Sequence, residues 1–445
     1  MKSSNQNRNI NIVTLGCSKN IVDSEKLLRQ IKAGGFSVTY DPASHTADTV
    51  IINTCGFIND AREESVNTIL SYIGDVQSGR VRNLYVMGCL SERYMDALEN
   101  EIPEVKKYFG VNNIDDILKE LSVSPRQDLL TERILTGPGH YAYLKVSEGC
   151  DRKCAFCAIP AIRGKYVSRP TGELLAEARN LAFLGVKELI LVAQDLSYYG
   201  LDLYRKQMLP ELVKSLLGMK SFEWIRIHYL YPANFPMELI PLMKDNPQIC
   251  SYIDIPIQHI SDKILGMMRR SHGEKETRDL LYNIRHELPG AVIRTTLIVG
   301  HPGETRKEFN RLRDFVSEFR FDRLGVFAYS HEEGTFAGDN YADEIPAKDK
   351  ESRVAELMEI QQSISYELNN ARKGNVLKVI IYRSEGDYFI GRTEFDSPEV
   401  DQEVLINKQN DLKEGNFYNI LITGATEFDL FGVPVADEDN RHRNA

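Results

Sequence analysis

The sequence predicts an α/β chain of three parts. An amino-terminal doubly wound parallel α/β domain comes first, a central series of βα units follows, and a small all-β barrel closes the chain. Three observations carry this. Apolar runs that stop at a Cys beside a Gly (NIVTLGC, TVIINTCG, NLYVMGC) recur at intervals of 38 and 34 residues. Six strand-like runs then alternate with helical patterns between Tyr141 and Ser330. Short β-rich runs separated by turn residues follow from Val376. Strand and helix alternating at this interval argue for parallel sheets, and short strands between turns for a small barrel.

In the first part, the intervals match the length of a strand–helix unit. Parallel strands of one sheet place their carboxyl ends side by side, so Cys17, Cys55 and Cys89 can converge on one spot. Three buried core thiols are the competing reading, since Cys is common in cores. Core burial does not explain why each one stands just past a strand. In the second part the runs are YAYLKV (141–146), ELILVAQD (188–195), WIRIHYLYP (224–232), YIDIPIQH (252–259), AVIRTTLIVG (291–300) and RLGVFAYS (323–330), with helical patterns such as 172–185 and 305–319 between them. Polar residues gather where these strands end: Gln194, Asp195, His228, Gln258, His259, Tyr329 and Ser330. Carboxyl ends of parallel strands are where such folds bind ligands. Pro125, Gly137, Pro138 and Gly139 mark a linker. From Pro346 an amphipathic helix with Val354, Leu357, Met358 and Ile364 on one face leads into the last part. The expected division is 9–125, a linker at 126–138, 139–368, and 370–438.

The bulk numbers exclude several classes. The 445 residues are too many for one small core, and 42% hydrophobic with 27% charged is ordinary globular composition. The start, MKSSNQNRNI, has no apolar h-region, and no run approaches a membrane span. Seven cysteines are a poor disulfide framework for this length. A reducing cytoplasm with thiolate ligands is the expectation. Net charge is −10, which argues against a generic nucleic-acid binder.

The densest chemistry is SEGCDRKCAFCAIP (147–160), with Cys150, Cys154 and Cys157 at C-x3-C-x2-C spacing. Structural zinc needs four ligands, usually as two close pairs. A zinc knuckle completed from elsewhere, for example by Cys250, is one reading, although Cys250 itself reads as an inert core thiol. A [4Fe–4S] cube on three thiolates is the other, and it leaves one iron open to a small molecule. Gly149 permits a tight entry to the loop, and Phe156 can shield the sulfurs.

This loop resembles the signature of radical S-adenosylmethionine enzymes, and the six units resemble their partial (βα)6 barrel. The resemblance implies that the open iron chelates S-adenosylmethionine, whose cleavage yields a 5′-deoxyadenosyl radical. LIVGHPGE (297–304) is similar to the family's cofactor-binding segment, which implies contacts from Gly300, Gly303 and Glu304, while Gln194, Asp195 and Phe156 resemble further contacts. His301 departs from the Phe usual there. With three more cysteines in such an amino-terminal domain, the chain resembles the methylthiotransferases, whose second cluster carries sulfur. TLGCSKNIVDSE (14–25) and NTCGFINDAREES (53–65) are similar to the branch that modifies an aspartate of ribosomal protein twelve of the small subunit; tRNA-modifying relatives read Gly-Cys-Gln-Met-Asn where Gly16–Asn20 stand here. The resemblance implies two [4Fe–4S] clusters, at Cys17/Cys55/Cys89 and Cys150/Cys154/Cys157, and S-adenosylmethionine as cofactors.

The closing barrel resembles the TRAM module, usually an RNA binder. Between Lys373 and Val433 it holds six Lys and Arg against eleven Asp and Glu. That balance suits a basic ribosomal protein better than RNA as primary substrate. EFDSPEVD (394–401) reads as an exposed acidic loop. A tRNA adenosine methylthiotransferase is the nearest rival, and a non-catalytic metal-binding ribosome-assembly factor is the rival from another class. The sequence identifies neither the sulfur donor nor the electron donor.

Overall fold

The computed structural model describes residues 9–41 and 47–435. Its first five strands form one parallel sheet in the order Ser37–Tyr40, Asn9–Thr14, Thr49–Thr54, Asn83–Gly88, Lys107–Tyr108. The three expected strands are its middle, and Thr49–Thr54 is buried throughout because it has neighbours on both edges and helices on both faces. The two edge strands escaped the sequence reading, being short and only partly apolar. Helices Ser18–Ala33, Asn59–Gln77 and Cys89–Glu101 leave directly from the cysteine-bearing strand ends.

In the second part Tyr141–Lys145, Glu188–Val192 and Trp224–Ile227 pair in parallel, as do Tyr252–Asp254, Val292–Val299 and Arg323–Ala328. A parallel bridge from Ile225 to Ile249 joins the two halves. Among the described residues no pairing connects the last strand to the first, so the barrel stays partial. Its core lies between strands and outer helices, with Leu144, Leu189, Ile225, Ile253, Ile293, Phe309 and Phe315 buried together.

The carboxyl-terminal strands close a five-stranded barrel. The final apolar run divides into Phe417–Ala425 and Leu430–Pro434, joined antiparallel. The leading helix, Ala347–Asn370, buries Lys350, Arg353, Leu357, Gln361 and Ile364. Met358 is exposed, contrary to the expected face, because it stands about 100° around the helix from Leu357. The expected boundary at residue 438 lies outside the described residues.

The reading of 394–401 as an exposed loop is overturned. Tyr141 donates to Glu399 (3.2 Å), Arg226 to the Glu394 carbonyl (2.8 Å), Tyr252 to Asp401 (2.6 Å) and Arg323 to Asp396 (3.1 Å). Arg294 pairs with Asp401 at 3.5 Å, and Arg392 of the small barrel donates to Glu188 at 3.0 Å. Every strand of the partial barrel is thus bonded to the small one, so this segment sits in the open barrel's concave interior. The reason is charge: an unclosed barrel that carries Arg226, Arg294 and Arg323 needs carboxylates, since buried cations must be paired. Two of the acidic residues, Asp396 and Asp401, are therefore internal. Glu385, Asp387, Glu399, Asp411 and Glu414 are exposed against exposed Lys373, Lys378, Lys408 and Lys413, so the charge count carries no argument about a partner. Residues 126–138 are likewise docked: the buried Arg133 lies 3.5 Å from Glu25 and 3.4 Å from Glu177, tying the first part to the second.

Candidate functional site

At the first sheet's carboxyl edge, Cys17 caps its helix, Cys55 follows its strand, and Cys89 opens the next helix. Gly16 has φ 90°, and a Cβ there would meet the Cys55 Cβ at 2.6 Å, so only glycine lets the first and second loops approach this closely. Asn20 locks them together, donating to the Leu15 carbonyl (2.8 Å) and the Thr54 carbonyl (3.1 Å). Asn53 answers by donating to the Asn20 carbonyl at 3.0 Å. The three thiols are near enough to act on one another electrostatically.

Cys150, Cys154 and Cys157 occupy one tight loop. The Cys150 N–H donates to the Gly164 carbonyl at 3.1 Å, and the Cys157 N–H to the Cys154 carbonyl at 3.1 Å. Gly149, at φ 70°, has the Lys165 carbonyl where a Cβ would stand. Arg270 reaches the Cys154 sulfur at 3.4 Å. Burial pushes Cys89 and Cys150 up to about 11 and Cys157 up to about 12. For Cys17 burial also pushes upward, but Lys19, Arg163 and backbone N–H groups outweigh it and leave the thiol below its ordinary value. A metal bound at these thiols would therefore displace protons from most of the sulfurs.

The two cysteine sets are neighbours across a five-residue helix, Ile159–Arg163. Ala158 and Ile162 pack directly on Cys89. Arg163, at its end, donates to Glu148 (2.8 Å) and to the Asn20 side chain (2.6 Å). Burial works against the Glu148 carboxylate, yet Lys145 and Arg163 hold it at about 2. One arginine thus clasps the entry to the radical-type loop and the residue that locks Cys17 to Cys55.

All three loop cysteines open on a cavity of about 240 Å³, with Phe156, Gln194 and Asp195 in its wall. Phe57, two residues past Cys55, lines the same cavity, as do Arg152, Tyr229, Tyr231, Asp254, Gln258, Arg270 and Arg294. Arg152 donates to Asp195 at 2.7 Å and stacks on Tyr231. The buried Gln258 Oε1 has no partner among the described residues, leaving an acceptor at the wall. Gly300, Gly303 and Glu304 are not among the wall residues. The glycines take φ 74° and 82° in a turn pressed on Lys350 and Met267, and Glu304 is bonded by Arg353 (2.8 Å) and the Gly300 N–H (2.6 Å). His301 packs edge-on to Tyr329 at 5.1 Å, and burial lowers it to about 4, so it serves there as a neutral aromatic ring.

Cys250 lies apart, buried with Trp224, Tyr252 and Val292, and cannot complete a zinc site at the loop. Among the described residues no group of three or more His, Cys, Asp or Glu is set for a single metal ion. A cube, whose ligands bind different irons, needs thiolates spread more widely. The soft, three-thiolate donor sets fit such a group. Sequence reasoning missed Phe57, Arg152, Arg163 and Arg270. Three of them stand inside or beside quoted motifs, whereas Arg270 follows a short helix with no signal.

Fold and site together define a class: residues 144–316 match the family described as Radical SAM superfamily, and residues 374–435 match the TRAM domain. Residues 9–110 match the model described as Uncharacterized protein family UPF0004. Curated relatives sharpen this. The "Ribosomal protein uS12 methylthiotransferase RimO" of Bacteroides fragilis is 54% identical over 96% of this chain and 99% of its own. Its namesake in Flavobacterium johnsoniae is 53% identical over 97% and 99%. The chain belongs to the ribosomal protein uS12 methylthiotransferase family. Among solved structures, the radical S-adenosylmethionine methyltransferase TsrM of Kitasatospora setae shares the fold at TM-score 0.55 and 14% identity, over 74% of this chain and 77% of that one. Among the described residues no helix is long and apolar enough to cross a membrane.

Proposed function

We propose that this chain replaces one hydrogen on the β-carbon of an aspartate in ribosomal protein uS12 by a methylthio group, in the cytoplasm, using two [4Fe–4S] clusters and S-adenosylmethionine. The observation that carries the reading is the meeting of two three-cysteine sets, from separate domains, across Ile159–Arg163 beside one cavity. Cys150, Cys154 and Cys157 hold the cluster that binds S-adenosylmethionine, and Cys17, Cys55 and Cys89 hold the cluster that delivers sulfur. When bound, the first group supplies a carbon-centred radical strong enough to take an unactivated hydrogen, which no side-chain base can do.

The protein's own residues do the rest. Arg152 holds Asp195 against the cavity wall, and Gln194 and Gln258 present polar groups there. Phe156 and Phe57 cover the approach from either cysteine set and keep water from the reacting centre. Gly300, Gly303 and Glu304 shape the turn behind the wall. The domains divide at 9–125, 139–368 and 370–438, with 126–138 as the docked connection. Mass spectrometry of uS12 from a strain lacking this gene tests the function. The methylthio group is expected to vanish and to return with a plasmid copy; a modified uS12 in the deletion strain contradicts the assignment.

A further inference from the structure

Lys19 is a costly residue where it stands. It is 6% exposed and lies in the first turn of Ser18–Ala33, the end of a helix that disfavours cations. That turn contains no acidic residue. The other buried lysines among the described residues each bond a carboxylate, Lys145 with Asp23 and Glu148, and Lys350 with Asp343. Lys19 has no hydrogen-bond or ion-pair partner among the described residues; its ammonium lies 3.9 Å from the centre of the Tyr229 ring.

Tyr229 itself is held in an unusual place. It has φ 57°, a left-handed conformation that a tyrosine rarely adopts, and its N–H donates to Asp254 at 3.1 Å. Its ring lines the cavity shared by Cys150, Cys154, Cys157 and Phe57. The arginines of that wall are engaged: Arg152 by Asp195, Arg294 by Asp254 and Asp401, Arg270 by the Pro256 carbonyl. A buried lysine with no carboxylate partner, set over a ring that lines the reaction cavity, is a site for one.

We infer that Lys19 is the specificity-determining group that binds the carboxylate of the substrate aspartate. This deepens the proposed function and rests on it, since the reacting β-carbon is bonded directly to that carboxylate. Gripping it by one charge-assisted contact orients the carbon between the two cysteine sets and rejects a neutral side chain. The Tyr229 ring, 3.9 Å from the ammonium, holds it in place until substrate arrives.

The test uses the iron-loaded full chain and purified uS12, alongside uS12 whose target aspartate is replaced by asparagine. Wild type is expected to bind the aspartate form about tenfold or more tightly, the scale of one charge-assisted hydrogen bond. Lys19→Met should bring that ratio to about one, and Lys19→Arg should keep most of it. Iron content should be the same in all three proteins. A Lys19→Met enzyme that still discriminates overturns the inference, as does equal loss in Lys19→Met and Lys19→Arg, which would indicate shape instead of charge. Loss of iron in Lys19→Met also overturns it, because Lys19 would then serve the cysteines. A wild-type enzyme that modifies uS12 yet binds both forms alike removes this inference alone; one that modifies neither removes the proposed function.

Discussion

The two cysteine sets are built in opposite ways. Cys150, Cys154 and Cys157 belong to one eight-residue loop, so their spacing is written locally and can be read without a fold. Cys17, Cys55 and Cys89 span 73 residues and meet only because three parallel strands end together. The first set is a motif and the second a product of topology. The difference teaches that the second site is only as sound as the sheet beneath it, whereas the loop depends mainly on its own turns and on Arg163.

The sharpest way to break this comparison is to remove each set. Cys150, Cys154 and Cys157 replaced together by Ala should abolish reductive cleavage of S-adenosylmethionine. Each triple variant should retain about four irons of the about eight expected after anaerobic reconstitution, measured by iron analysis. Stoichiometric zinc with iron near zero would contradict both sets.

A smaller perturbation separates topology from motif. Gly16→Val places a side chain on Cys55 and forces a branched residue into φ 90°, so the assembled set should fail while the loop survives. Iron should fall by about half with cleavage retained; full iron would mean that the strand ends tolerate more than their packing suggests.

Asp396→Asn touches neither set. Asp396 is 1% exposed and bonded by Arg323 and Thr393 inside the partial barrel. Breaking a buried pair costs about 3–5 kcal/mol. Denaturant unfolding should show a loss on that scale with iron unchanged, and a neutral result would mean that the segment is not docked in solution.

The smallest effect is a pH slope. Burial lowers His301 to about 4, while an unfolded His protonates near 6.5. Between about pH 6.5 and 4 the unfolded chain binds the extra proton, so stability falls as pH falls. His301→Phe keeps an aromatic ring against Tyr329 and should flatten that slope in thermal unfolding; an unchanged slope would place the acid sensitivity on other buried histidines.

Most of the architecture was legible because period and spacing are local signals. The three cysteine-bearing strands, the six barrel strands and the long helix at 347–370 all announced themselves through apolar runs. The docked segment 394–401 did not, because its five polar residues look the same whether water or arginines neutralise them. Its partners, Arg226, Arg294 and Arg323, are scattered through strands that otherwise read as ordinary. Arg163 and Phe57 were hidden for a related reason: each stood in or beside a quoted motif, but its task depends on a neighbour more than 70 residues away. Gly300 and Gly303, read as ligand contacts, stand in a turn against Lys350 and Met267, a placement that no sequence signal gives.

The central claim is that two cysteine sets of different construction divide one reaction. It is tested most directly by one anaerobic mixture of enzyme, uS12, S-adenosylmethionine and reductant, scored by mass spectrometry for both 5′-deoxyadenosine and methylthiolated uS12. Wild type should form both. The Cys17/Cys55/Cys89→Ala variant should still form 5′-deoxyadenosine but no methylthiolated protein, and the Cys150/Cys154/Cys157→Ala variant should form neither. Methylthiolated uS12 from the first variant would contradict the claim outright.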